Sequence, residues 1–241
     1  WLATHTKPGQ FLNIKAADHP LTDPFLSIPL AAHDIEHHTL SVIYQVVGNG
    51  TRHLSQKKPK DPICVLGPLG NGFHFENLTQ HPPTQALIVA GGLGIAPLYP
   101  VIKTLLTMQI AMEVFIGART HWEILFEQKI KQLGVHVTVA TLDGSEGTKG
   151  FITDPLIHYL HPSIHRNKAL QQQLVLYASG PEAMCRALAS LARQENIDAQ
   201  LSTEAYMACG FGVCHGCTIK TTEGYQLCCT DGPIFSGTIL E

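Results

Sequence analysis

No apolar run in this 241-residue chain reaches the roughly 20 residues that a membrane-spanning helix needs. The longest, residues 86–102, is interrupted by Gly91, Gly92, Gly94, Pro97 and Pro100, so no membrane span is expected. Charge is also scarce: 15% of residues are charged, 16 basic against 19 acidic, for a net charge of -3. The two signs are interspersed, which leaves no cationic stripe for a phosphate backbone or an anionic lipid surface and argues against nucleic acid as a partner. The start, Trp1-Leu2-Ala3-Thr4-His5, has no basic segment followed by an apolar run and a small-residue cleavage site, so no secretory signal is visible. It also lacks an initiator Met, which suggests trimming or a missing first strand. The fourteen histidines are scattered; they form no H-E-x-x-H, and no Ser/His/Asp or paired-carboxylate arrangement is readable.

What is present is enough to fold. With 44% apolar residues the chain can bury a core, and its length exceeds what a single core usually holds. Residues 1 to about 75 carry short β-like runs, Phe11-Leu12-Asn13-Ile14, Thr39 to Val47 and Ile63-Cys64-Val65-Leu66, with a turn expected at His37-His38. Short strands without long helical patterns between them predict an antiparallel β-barrel over residues 1–80. Glu76 to Gln85, with Pro82-Pro83, reads as a linker. Residues 81–203 then alternate: strands at 86–90, 112–117, 135–140 and 174–178, helices at 95–106, 122–133 and 181–194, and a further extended segment at 197–202. That rhythm predicts a doubly wound parallel sheet, an α/β unit beside the all-β one. Residues 204–241 lose both periods and form a small third unit too short to bury much core.

Five of the seven cysteines crowd into residues 209–229. Without a signal segment the expected compartment is the reducing cytoplasm, where thiols serve metals or redox chemistry before disulfides. Cys209, Cys214 and Cys217 make C-x4-C-x2-C, with Cys228 and Cys229 following, which fits plant-type [2Fe-2S] ligation. Gly210, Gly212 and Gly216 let backbone pass close to the sulfurs. A four-cysteine zinc site is the alternative, although zinc ribbons use two C-x2-C knuckles. Neighbours on an extended chain point to opposite sides, so one of Cys228 and Cys229 ligates, and spacing does not choose between them.

Two strand-to-helix junctions suit a nucleotide. Gly91-Gly92-Leu93-Gly94 closes one strand and opens a helix, and Ser179-Gly180-Pro181 does the same later, as if forming two walls of one crevice. Glycines also serve ordinary turns, so either junction alone is a weak signal. Arg119, at a strand end, is a candidate for a nucleotide phosphate and equally for simple solvation.

The chain resembles the ferredoxin-reductase superfamily, and within it the electron-transfer subunits of type B dihydroorotate dehydrogenase. The similarity is carried by Pro8-Gly9-Gln10-Phe11, Asp23-Pro24-Phe25-Leu26, Gly48-Asn49-Gly50-Thr51, Gly67-Pro68-Leu69-Gly70-Asn71-Gly72-Phe73, the Gly91–Pro97 loop and the tail from Glu204 to Cys217, with Cys229-Thr230-Asp231-Gly232-Pro233. It implies FAD on the barrel, NAD(H) as co-substrate at the Gly91, Gly92 and Gly94 loop facing Ser179, Gly180 and Pro181, and a [2Fe-2S] cluster. Position before Asp-Gly-Pro implies Cys229 as the fourth ligand beside Cys209, Cys214 and Cys217. Ile28, Pro29, Leu30 and Ala31 would lie along the flavin, Ile43, Tyr44, Gln45 and Val46 along its other side, and Gly50-Thr51 at its phosphates. The family's Arg-Pro-x-Ser is Ile28-Pro29-Leu30-Ala31 here and its Tyr-Arg is Tyr44-Gln45, which removes two charge-assisted phosphate contacts. The implied partner is an FMN-containing catalytic subunit, in a heterotetramer serving pyrimidine biosynthesis. A reductase of the same build for a hydrogenase or sulfur-reducing complex, and a zinc-stabilised interaction module without redox function, are the alternatives.

Overall fold

A computed structural model describes residues 1–16, 24–76, 78, 85–166 and 174–240. Asp23 of the expected flavin-strand motif and most of the expected linker, residues 77 and 79–84 with its Pro-Pro pair, lie outside the described residues.

The first part opens with a one-turn helix, α1 (Leu2–His5), and continues through β1 (Phe11–Lys15), β2 (Ile28–Glu36), β3 (Thr39–Val42), a short helix α2 (Asn49–Ser55) and β4 (Cys64–Leu69). The strands form an antiparallel sheet in the order β3-β2-β1-β4. Its two faces are sorted by strand alternation. Leu12, Ile14, Ile28, Leu30 and Val42 pack on one side with Leu54 of α2, while Phe11 and Asn13 face the cysteine tail. His37-His38 occupy the β2–β3 turn, with His37 at φ +42°. The run expected to continue to Val47 leaves the sheet after Val42. The Thr51 hydroxyl accepts the Val47 and Gly48 N–H groups at 3.0 and 3.1 Å, which turns the chain into α2 instead.

The second part holds β5 (Gln85–Gly91), α3 (Ile95–Thr107), β6 (Met112–Ala118), α4 (Glu127–Gln132), β7 (His136–Thr141), β8 (Thr148–Lys149), α5 (Thr153–Arg166), β9 (Leu174–Ser179), α6 (Glu182–Gln194) and β10 (Asp198–Ser202). These strands are parallel in the order β10-β9-β5-β6-β7-β8. Central strand β5 is apolar from Ala86 onward because both of its faces are covered. Ala86, Ile88 and Ala90 meet the α3 side; Leu87 and Val89 meet α5 and α6. Truncating Leu87 or Ile88, both without solvent exposure, should cost about 2–5 kcal/mol. The expected 122–133 helix is a 3-10 turn at His121–Glu123 and the shorter α4, because Phe126 adopts φ +63° to place its ring on His33 and Tyr99. Helix α5, between the expected strands at 135–140 and 174–178, is fixed by Ile152, Leu156 and Leu160, four residues apart and all buried.

Pro100 lies inside α3 and has no N–H for the Ala96 carbonyl one turn earlier. His33 of β2 satisfies that carbonyl through Nδ1 at 3.1 Å, with its ring stacked on Tyr99. Nearby, Lys103 binds Asp34 at 2.8 Å and Glu36 at 3.1 Å, and Lys129 lies 4.4 Å from the Tyr99 ring centre. A helix defect in one half thus becomes the docking point for the other. Burial holds the His33 pKa below its ordinary 6.5, against the opposing pull of the Ala96 hydrogen bond and Asp34. The unfolded chain therefore takes up this proton first, and the stability His33 confers, complete above pH 6.5, declines as pH falls toward the folded-state value. Urea unfolding from pH 8 to 5.5 should show this decline, and His33→Phe should flatten it while costing about 1–3 kcal/mol for the orphaned carbonyl.

The tail contributes a hairpin, β11 (Thr218–Thr221) with β12 (Gly224–Leu227), and β13 (Ile234–Ser236). β13 adds antiparallel to β10 at the edge of the large sheet. Phe235 and Leu240 join the α6 core, while Cys217, Cys228 and Cys229 pack on Phe11 and Leu69 of the first sheet. The tail borrows both neighbouring cores, which answers its lack of one.

Candidate functional site

The large sheet reverses its strand order between β5 and β9, the place where α/β sheets open a crevice beyond the strand ends. Both glycine junctions sit there, and they touch. A Cβ added at Gly94 would overlap the Ser179 carbonyl, and one at Gly91 would lie 2.7 Å from Pro181 Cδ and 2.9 Å from Met184 Sδ. One at Gly180 would lie 2.9 Å from the Gly91 backbone. Gly91, Gly94 and Gly180 thus serve close packing of the two junctions, with the Ser179 side chain buried between them. Gly92 differs: its φ is +54° and its Cβ direction is open, so a ligand can approach its backbone. Arg119 is held by Glu123 through Nε at 2.9 Å and Nη2 at 2.5 Å, so any phosphate would compete with a carboxylate already in place.

The flavin candidates divide in the same way. Ile28 and Leu30 point into the core under the first sheet together with Tyr44, whereas Pro29 and Ala31, paired with Asn13 and Phe11, share the face toward the cysteine tail. Ile43 is half-buried, Gln45 is exposed, and Val46 and Val47 are exposed. Ile28 covers Gly50, where a Cβ would meet Ile28 Cδ1 at 2.9 Å. The Thr51 hydroxyl is engaged with Val47 and Gly48 and also donates to the Gly48 carbonyl at 3.2 Å. Its side chain is therefore occupied in shaping the turn; the backbone is what remains to meet a phosphate.

The cysteine loop is the best-built element. Gly210 and Gly212, at φ +80° and +87°, coil the backbone so that its N–H groups point at sulfur. Gly212 N–H donates to Cys229 Sγ at 3.2 Å, Gly216 N–H to Cys214 Sγ at 3.4 Å and Cys229 N–H to Cys217 Sγ at 3.4 Å. Backbone N–H groups of Cys214 and Phe211, with the Cys214 thiol, draw the Cys209 pKa down to about 6. Burial and the neighbouring Cys217 thiol push Cys229 up to about 12. Cys209 hydrogen-bonds the Cys214 thiol and Cys229 the Cys217 thiol, the Cys209 charge also reaching Cys229, and all seven cysteines are free. Among the described residues no three His, Cys, Asp or Glu side chains group for a single metal ion. Thiols served by backbone N–H donors fit thiolate ligation of a two-iron cluster, whose irons take two thiolates each.

Cys228 turns the other way. Its Sγ lies 3.6 Å from both the Thr203 hydroxyl and the Thr203 carbonyl, and burial raises its pKa to about 11. Of the two neighbours, Cys229 is the one whose sulfur takes the Gly212 N–H and whose own N–H reaches Cys217 Sγ. Met207 packs against the cysteines, while Phe211 is half exposed. Sequence reasoning missed Asn13 and Asn71, which tie the first sheet to the tail. Asn71 Nδ2 donates to the Thr230 and Asp231 carbonyls at 3.2 and 3.0 Å, and Asn13 Nδ2 to Cys209 O at 3.0 Å. The available signal was a polar amide within the otherwise apolar run Phe11-Leu12-Asn13-Ile14.

A parallel sheet with a crevice at its switch point, joined to an antiparallel sheet and a thiol loop, defines an NAD-linked iron–sulfur oxidoreductase. Residues 88–190 match the oxidoreductase NAD-binding domain, and residues 204–241 match the iron–sulfur cluster binding domain of dihydroorotate dehydrogenase B. Proteins named dihydroorotate dehydrogenase B (NAD(+)), electron transfer subunit, are similar along nearly the whole chain. That of Geobacillus sp. (strain WCH70) is 36% identical over 233 residues, and that of Geobacillus kaustophilus 38% over 234, each covering 95% of this chain and 84% of the relative. The Bacillus cereus (strain Q1) protein is 35% identical over 236 residues, 95% of this chain and 85% of its own. This chain belongs to the family of dihydroorotate dehydrogenase B electron-transfer subunits.

Among solved structures, an NADH-dependent reduced ferredoxin-NADP oxidoreductase studied for flavin-based electron bifurcation matches with a TM-score of 0.79. It is 28% identical and covers 100% of this chain and 81% of that one. The ferredoxin reductase of carbazole 1,9a-dioxygenase shares the fold, with a TM-score of 0.62 at 16% identity over 80% of this chain and 58% of that one. No helix among the described residues is long and apolar enough to cross a membrane.

Proposed function

We propose that the chain carries electrons between NAD(H) and an FMN-containing dihydroorotate dehydrogenase catalytic subunit, within a cytoplasmic heterotetramer serving pyrimidine biosynthesis, using FAD and a [2Fe-2S] cluster. Its three parts, residues 1–80, 81–203 and 204–241, would provide the flavin, nucleotide and cluster sites in that order. The observation that carries this reading is the paired thiol loop seated on the outward face of β1, beside the strand proposed for the flavin. Bound FAD would supply hydride exchange with the nicotinamide and one-electron exchange with the cluster. Cys209, Cys214, Cys217 and Cys229 would ligate the irons, while the Gly212, Gly216 and Cys229 N–H groups, already aimed at sulfur, would stabilise negative charge there. Pro29 and Ala31 would meet the flavin from the β2 face, and Ile43 to Val46 would border it. The Gly50-Thr51 backbone would lie at its phosphates with Ile28 alongside in place of a cation. Gly92 would receive the NAD(H) pyrophosphate, between the walls that Gly91, Gly94, Ser179, Gly180 and Pro181 build.

Anaerobically purified protein titrated with NADH tests the reading. Flavin and cluster absorption should both bleach, and adding the catalytic subunit with dihydroorotate should reduce NAD in the reverse direction. Bleaching of neither band would overturn it.

A further inference from the structure

Asn13 is an anomaly in β1. It is 4% exposed, flanked by the core residues Leu12 and Ile14, and its Oδ1 is buried with no hydrogen-bond partner among the described residues. Such an orphan is destabilising, a cost that a leucine of similar size would avoid. What the amide offers in exchange is its donor side. Nδ2 donates to the carbonyl of ligand residue Cys209 at 3.0 Å and to that of Ala208 at 3.4 Å, so only the nitrogen fits toward the tail and the orphan is the oxygen. The contact is tight: a Cβ on Gly210 would lie 2.9 Å from Nδ2. Across the strand pair, Asn13 stands opposite Pro29, within the segment proposed to border the flavin.

We propose that Asn13 is the positioning residue of the iron–sulfur centre. Its amide clamps the peptide that carries the Cys209 thiolate to the flavin-bearing sheet, and by polarising that peptide it raises the potential at which the centre accepts an electron. Donation to the ligand's own carbonyl draws electron density from the thiolate side and favours the more negative, reduced state. The role rests on the cluster reading above and adds the determinant of its potential.

The test uses full-length Asn13→Leu, reconstituted anaerobically alongside the unsubstituted protein. Iron and sulfide content and NADH binding should be unchanged, the cluster's midpoint potential should fall, and its EPR g-values should shift. A potential and spectrum unchanged at full iron content would overturn the role and leave the cluster reading intact. If Asn13→Leu fails to hold iron, Asn13→Ser, which leaves room yet cannot reach Cys209 O, decides by the same two readouts. An unsubstituted protein that takes up no iron would overturn the cluster reading and this role with it.

Discussion

Gly94→Ala should lower the stability of the protein by about 3 kcal/mol or more, because the new methyl group would occupy the position of the Ser179 carbonyl and one junction must leave the other. For a chain of this size that corresponds to a melting temperature lower by roughly 10 °C. The collision is with backbone at the end of a central strand, where no rotamer change relieves it. Gly92→Ala, two residues away, meets no atom within 4 Å and carries only the strain of φ +54°, about 1 kcal/mol. Its effect should instead fall on NADH affinity, since the methyl group projects into the open crevice. Thermal melts and NADH titrations of both variants separate the roles: a stable Gly94→Ala protein, or a Gly92→Ala protein with undiminished affinity, would contradict the assignment of one glycine to packing and the other to ligand.

The second large effect concerns two neighbouring cysteines. Cys229→Ser should abolish stable cluster assembly, because its sulfur belongs to the pair with Cys217 and takes the Gly212 N–H. Cys228→Ser should assemble the cluster fully and change stability by no more than about 1 kcal/mol, since it disturbs two weak contacts to Thr203. Visible absorption and iron content after anaerobic reconstitution read the difference. The opposite pattern would exchange the roles of the two residues.

What was legible in the sequence follows from the range of the interactions involved. The C-x4-C-x2-C loop with its glycines is a local device, and its chemistry can be read from spacing. So can the unbroken apolar run of β5, buried on both faces, and the loss of both periods after Ser202. The choice between Cys228 and Cys229 depends on Thr203, at the end of a strand in another part of the fold, and spacing contains nothing about it. The left-handed Phe126 that shortens α4 answers His33 and Tyr99, and the prolines at 155 and 162 hid α5 although Ile152, Leu156 and Leu160 keep its period. At Gly91 and Gly94 the sequence correctly marks a close approach, but the approaching atoms belong to the second junction. Asn13 was visible only as a residue of low strand propensity in a buried strand, the kind of local conflict that marks functional positions.

The central claim is that Cys209, Cys214, Cys217 and Cys229 hold a two-iron cluster fed from NADH. Iron, zinc and acid-labile sulfide analysis of anaerobically purified protein, with EPR after NADH reduction, tests it most directly. The account predicts two irons and two sulfides per chain and a rhombic signal that develops on adding NADH. One zinc per chain in colourless protein without labile sulfide would contradict it.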